Sequence, residues 1–98
     1  KFKKNIQYYE DDSINFLKSF SQKIDLLYLD SLDGHDPIAA SEHQLNEVKV
    51  SLTKLHSNSL ILLDDKGSKT NLSIDYLIKN NFKILYETNF QILFSQTI

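Results

Sequence analysis

Five aspartates stand where apolar stretches stop: Asp11 and Asp12, Asp30, and Asp64 with Asp65. The run Ile24-Asp25-Leu26-Leu27-Tyr28-Leu29 is apolar apart from Asp25 and ends in Asp30; Leu60-Ile61-Leu62-Leu63 ends in Asp64-Asp65. Carboxylates delivered to one edge by neighbouring strands repel each other unless something positive lies between them, and an all-oxygen donor set suits magnesium, manganese or calcium. Asp30, Asp64 and Asp65 are therefore candidate divalent-metal ligands, with a solvated acidic rim as the open alternative. His35 follows Asp33 by two residues in a polar loop, and an imidazole titrating near neutrality can take a proton from a hydroxyl. A lone loop histidine can equally do nothing. Asp11 or Asp12 could simply cap the helix that follows. His43 falls in the first turn of a predicted helix and His56 at the end of the same helix, where a cation suits the dipole and a structural role is expected.

The elements that must position these residues follow from periodicity. Residues 5–10 read as a strand, and Asp11-Asp12-Ser13 opens a short helix with Ile14, Leu17 and Phe20 inward and Phe16 one turn before Phe20. Residues 24–30 read as a strand buried on both faces, the pattern of a parallel sheet covered by helices. The loop 31–40 is long for a strand-to-helix connection. Ser41 and Gln44 match a capping box, and the helix they open should run to His56 with Leu45, Val48, Leu52 and Leu55 inward. Ser57-Asn58-Ser59 breaks it, and residues 60–63 form the next strand. Thr70 is a good N-cap for a helix over 72–80, which Asn80-Asn81 can close in the left-handed conformation. Residues 82–87 and 91–96 are separated by three residues, too few for a helical crossover, so they must form an antiparallel hairpin. The expected fold class is α/β: an open sheet of three β-α units closed by a C-terminal antiparallel hairpin. In such sheets ligands bind beyond the carboxyl ends of the strands, which directs attention to Asp30.

With 98 residues there is room for a single domain, and the absence of methionine together with a lysine at position 1 leads us to expect a cut or truncated chain. Hydrophobic residues at 41% and charged residues at 24% are ordinary for globular proteins and argue against disorder. No apolar run approaches the roughly 18 residues that span a bilayer and no signal peptide is visible, so no membrane association and a cytoplasmic location are expected. With no cysteine, disulfides and thiolate metal sites are excluded. The net charge is -2 and every basic residue is lysine. Without arginine there is no bidentate fork for phosphate or guanine, so nucleic acid is not an expected partner.

Taken together, residues 5–96 resemble the C-terminal half of a class I S-adenosylmethionine-dependent methyltransferase, a Rossmann-like family. Asp11-Asp12-Ser13 resembles the family's Gly-Asp-Ser-like segment near the adenine, with Asp12 in the acidic position. Residues 24–30 resemble its hydrophobic-Asp-hydrophobic-Asp strand, and Ile61-Leu62-Leu63-Asp64-Asp65 a later strand; a helix and a terminal hairpin follow in the family's order. Ser41-Glu42-His43-Gln44-Leu45-Asn46-Glu47 is similar to a segment of uncharacterised members. The resemblance implies that Asp12, Ser13, Asp30 and Ser31 contact S-adenosylmethionine and that the acceptor is a hydroxylated small molecule or sugar. It further implies Mg2+ at Asp30, Asp64 and Asp65, as in some O-methyltransferases of the fold, and His35 as base. The family's glycine-rich turn lies on its first strand, and Gly34 and Gly67 cannot supply it. On this resemblance the fold's first two strands would precede Lys1, and the 98 residues alone would be inactive.

Two other classes remain open. Leu29-Asp30-Ser31-Leu32-Asp33-Gly34 and the later Asp64-Asp65 resemble segments of haloacid-dehalogenase-like phosphatases, although Asp30 and Asp33 are three apart where that family spaces its nucleophile and acid by two. A non-catalytic half-domain could pair with another chain, or with a second copy as a homodimer, through an open sheet edge.

Overall fold

A computed structural model describes residues 6–30, 36–67 and 69–96. The chain is an α/β fold in the order α1 (Ser13–Ser19), β1 (Ile24–Leu29), α2 (Pro37–Ser51), a 3-10 turn (Leu52–Lys54), β2 (Leu55–Asp64), α3 (Asn71–Lys79), β3 (Lys83–Glu87) and β4 (Gln91–Ser95). The four strands form one open mixed sheet in the order β1-β2-β4-β3, with β1 and β2 parallel and β3-β4 an antiparallel hairpin. Because β4 runs antiparallel to both neighbours, β3 is parallel to β2. The crossover through α3 skips one strand position, and the hairpin folds back to fill it.

Local chemistry explains where the helices begin and end. The Asp12 carboxylate accepts the Asn15 N–H at 3.1 Å and caps α1. Helix α2 starts a turn earlier than the Ser41 capping box implied: the Asp36 carboxylate accepts from the N–H groups of Ile38 and Ala39, at 2.8 and 3.1 Å. Pro37 occupies the first helical position, where a missing N–H costs nothing and its fixed φ already fits. Ser41 is consequently a buried residue inside the helix. At the end of α3, Asn81 takes the left-handed conformation (φ 69°) as expected. Its N–H donates to Ile78 O at 3.1 Å and that of Phe82 to Leu77 O at 3.0 Å, a Schellman closure sealed by the burial of Leu77 and Phe82. Thr70 holds the N-cap position of α3 but makes no side-chain cap; its hydroxyl instead binds both the N–H and the C=O of Gly67.

Four expectations require correction. Residues 6–10 are not a strand, so the described chain holds two β-α units rather than three, and Asp11-Asp12 stands at no strand end. His56 is not at a helix terminus, because the helical segment stops at Lys54 and His56 lies in β2. Across the pairing, β1 advances from Ile24 to Leu26 while β2 advances from Leu55 to Leu60, so three extra residues bulge out of β2. Ser59, 1% exposed, stitches that bulge: its hydroxyl accepts from His56 N–H at 2.9 Å and donates to Ile24 O at 2.5 Å. The predicted inward stripe of α2 is also displaced. Its buried residues are Ala40, Ser41, Gln44, Glu47, Val48 and Ser51, while Leu45 and Leu52 are half-buried, because α2 packs against α1 and α3 as well as the sheet.

The fourth correction concerns β1, expected to be buried on both faces. One sheet face carries Leu27 and Leu29, Ile61 and Leu63, and Ile92 and Phe94, which join Leu17 of α1, Val48 of α2 and Leu77 of α3 in a single core. Each such side chain contributes about 1.5–3 kcal/mol on burial. The opposite face is open. Its registers align Tyr28, Leu62, Leu93 and Tyr86 in one row across all four strands, with Leu26 beside Leu60. Leu26 is 54% and Tyr86 66% exposed, because β1 and β3 are the edges of the described sheet and no described helix covers this side. A continuous apolar run fits a covered strand; whether a second layer exists is decided elsewhere in the fold.

Candidate functional site

The parallel pairing of Leu29 with Leu63 carries the chain out of both strands side by side, so that Asp30 and Asp64 emerge at the same edge. Asp64 is heavily engaged. The Tyr28 hydroxyl donates to its Oδ2 at 2.5 Å, the Asp65 N–H donates to its Oδ1 at 2.8 Å, and the Gln91 side chain donates to it from β4. Those donors, Tyr28 first, hold the Asp64 carboxyl below its ordinary value. The Tyr28 phenol is pushed up to about 12, chiefly because ionising it would forfeit the hydrogen bond to Asp64, with the nearby Asp64 and Asp30 charges adding to the effect. Asp65 takes the left-handed conformation (φ 57°) and lies 3.6 Å from Lys69.

Tyr28 was not among the residues expected at the site. A signal for it existed: in a strand, residues two apart share a face, so a tyrosine two positions before Asp30 points to the side on which Asp30 emerges. What could not be read was the register that sets Tyr28 beside β2 and within reach of Asp64.

Among the described residues no group of three His, Asp or Glu side chains is arranged to hold a metal ion. Both oxygens of Asp64 accept hydrogen bonds from within the fold, and Asp65 is turned toward a lysine. Asp64 and Asp65 thus have partners within the fold. His35 and Ser31 lie outside the described residues, as does Asp33.

The remaining expected ligand residues sit at the head of α1. The Asp12 carboxylate is spent on capping. The Ser13 hydroxyl donates to Glu47 Oε2 at 2.5 Å and faces His43 Nε2 at 3.4 Å, which is itself 3.5 Å from the same glutamate oxygen. Serine, histidine and glutamate together invite comparison with a nucleophilic triad. The geometry rejects it: one ring nitrogen faces both oxygens and the serine reaches the carboxylate directly, so the ring cannot relay a proton between them. This cluster ties α1 to α2. A second polar pair bridges β1 and β2 at their starts. His56 Nε2 and Asp25 Oδ1 lie 2.6 Å apart, while His56 Nδ1 accepts the Asn58 N–H at 3.2 Å. That backbone donor fixes the proton on Nε2, directed at Asp25.

Among the described residues no helix is long and apolar enough to cross a membrane. The fold and site thus define an α/β protein with an open mixed sheet and an acidic carboxyl edge. Comparison with known protein families, curated proteins and solved structures finds no match.

Proposed function

We propose that these residues form the C-terminal half of an S-adenosylmethionine-dependent methyltransferase domain of Rossmann-like architecture, transferring methyl to a hydroxyl of a small molecule or sugar. One observation carries the reading. A parallel β1-α2-β2 unit presents Asp30 and Asp64 side by side at its carboxyl edge, and a helix and an antiparallel hairpin follow in the order the resemblance implies. Ligands of open parallel sheets bind at that edge.

The residues present fit the acceptor side better than the donor side. A glycine-rich turn for the methionyl end is not among them, and Asp12 and Ser13, implied near the adenine, have their side chains engaged within the fold. When bound, the donor supplies the activated methyl group. What this chain contributes is orientation: Asp30 receives the acceptor hydroxyl, and Asp64, held ionised by Tyr28, Gln91 and the Asp65 N–H, keeps the edge negative. His35 is the proposed base. In a metal-assisted form, Asp30, Asp64 and Asp65 would be the residues that hold the cation.

The test is methyl transfer from labelled donor by the natural full-length protein, wild type and Asp30→Asn. Loss of about 10²-fold or more in the variant is expected for a group that positions or deprotonates the acceptor. Failure of the full-length protein to bind the donor, or undiminished transfer by Asp30→Asn, refutes the reading.

A second reading has its own observation. β1 is a sheet edge with a half-exposed apolar face, which suits a non-catalytic half-domain that pairs with another chain or a second copy. Sedimentation equilibrium showing a concentration-dependent dimer, without donor binding, would favour it. For the phosphatase reading Asp30, Asp64 and Asp65 are described and Asp33 is not; turnover of an aryl phosphate would favour it.

A further inference from the structure

A cleft lies alongside α1, bordered by the segment that precedes it. It has a volume of about 670 Å3, within the range of small-molecule sites, and is walled by Tyr8, Tyr9, Phe16 and Phe20 with Asp11 and Ser13. Three of the rings are in contact: Tyr9 and Phe16 lie 4.9 Å apart between centroids, and Phe16 and Phe20 5.2 Å apart, so Tyr9, Phe16 and Phe20 form an aromatic strip. A smaller adjoining hollow shares Tyr9, Phe16 and Phe20 and adds Glu10 to the acidic side. Among the described residues no lysine lines either hollow, and neither Glu10 nor Asp11 has a basic partner.

This combination selects a ligand class. Anionic ligands would meet the carboxylates of Glu10 and Asp11. Small inorganic cations would gain little from rings and lack a convergent oxygen set. A compact, weakly hydrated organic cation gains from both walls, because aromatic faces attract it through their quadrupole and the carboxylates through their charge. We propose that the cleft over α1 binds a small quaternary-ammonium ligand of the choline type. The cleft shares Ser13 with the methyl-transfer reading, which places an adenine near the head of α1, so adenosine serves as the competing probe.

The experiment titrates the 98-residue protein with choline chloride, with its uncharged isostere 3,3-dimethylbutan-1-ol, and with adenosine, following the ring-proton resonances of Tyr8, Tyr9, Phe16 and Phe20. Choline is expected to saturate, and the isostere to bind about 3- to 30-fold more weakly, the factor that a cation over aromatic rings supplies. Phe20→Leu should weaken choline and leave the isostere nearly unchanged. Asp11→Asn keeps the oxygen that accepts the Asp12 N–H while removing the charge, and should also weaken choline alone. Far-ultraviolet circular dichroism confirms that both variants keep the fold. Equal affinity for choline and its isostere overturns the proposal, as does absence of choline saturation, whether or not adenosine binds.

Discussion

The Tyr28–Asp64 contact makes a prediction that needs no substrate. In the folded protein the Tyr28 phenol ionises at about 12 instead of 10.0. At any pH below 10 its phenolate fraction should therefore be about a hundredfold smaller than that of an ordinary tyrosine. Alkaline titration of phenolate absorbance should show a component well after the normal range. Tyr28→Phe should abolish that late component. Asp64→Asn should draw it back toward 10, because it removes the charge and weakens the hydrogen bond that together make ionisation costly. Asp30→Asn should draw it back only slightly, since the Asp30 charge is the smallest of the causes. The folded phenol has a raised pKa, so the contact favours the folded state fully below pH 10, and that contribution is lost as pH rises through about 12. A late component that survives in Tyr28→Phe, or one left at about 12 in Asp64→Asn, would refute the reasoning.

Asp64 itself has a lowered pKa, so its contribution is present above the ordinary carboxylate range and disappears as pH falls through the lowered value. Denaturant midpoints measured across acid pH should accordingly fall less steeply in Asp64→Asn than in wild type. Asp36→Ala should cost about 1 kcal/mol in urea unfolding, because it strips two backbone N–H groups of α2 of their acceptor. Leu63→Ala, at a site with no exposure, should cost about 2–5 kcal/mol, whereas Leu26→Ser on the open face should stay within about 0.5 kcal/mol. Equal costs at those two positions would mean that the open face is covered in solution. Ser59→Ala should destabilise by about 1–3 kcal/mol through the unpaired His56 N–H and Ile24 C=O, measured by thermal or urea unfolding.

Much of the architecture was legible because it is set locally. Apolar runs of four to six residues ending in acid marked β1 and β2, Asn80-Asn81 marked the close of α3, and the three-residue gap before Gln91 forced a hairpin. Asp36-Pro37 starts α2, while Ser41-Gln44 offers a competing capping pattern about a turn later, and periodicity alone does not choose between the two. The α/β class and the acidic edge carrying Asp30 and Asp64 therefore follow from sequence. Tertiary structure decided the rest, because each remaining feature depends on residues distant in the chain. The bulge at His56–Ser59 exists because a Ser59 hydroxyl finds Ile24 O across the sheet, and β4 lies inside the hairpin because the α3 crossover leaves a strand position empty. Tyr28 reaches Asp64 only through the parallel register of β1 on β2. The Ser13–Glu47 tie, the displaced face of α2 and the open side of the sheet belong to the same kind. No periodicity in one segment records which other segment will cover it.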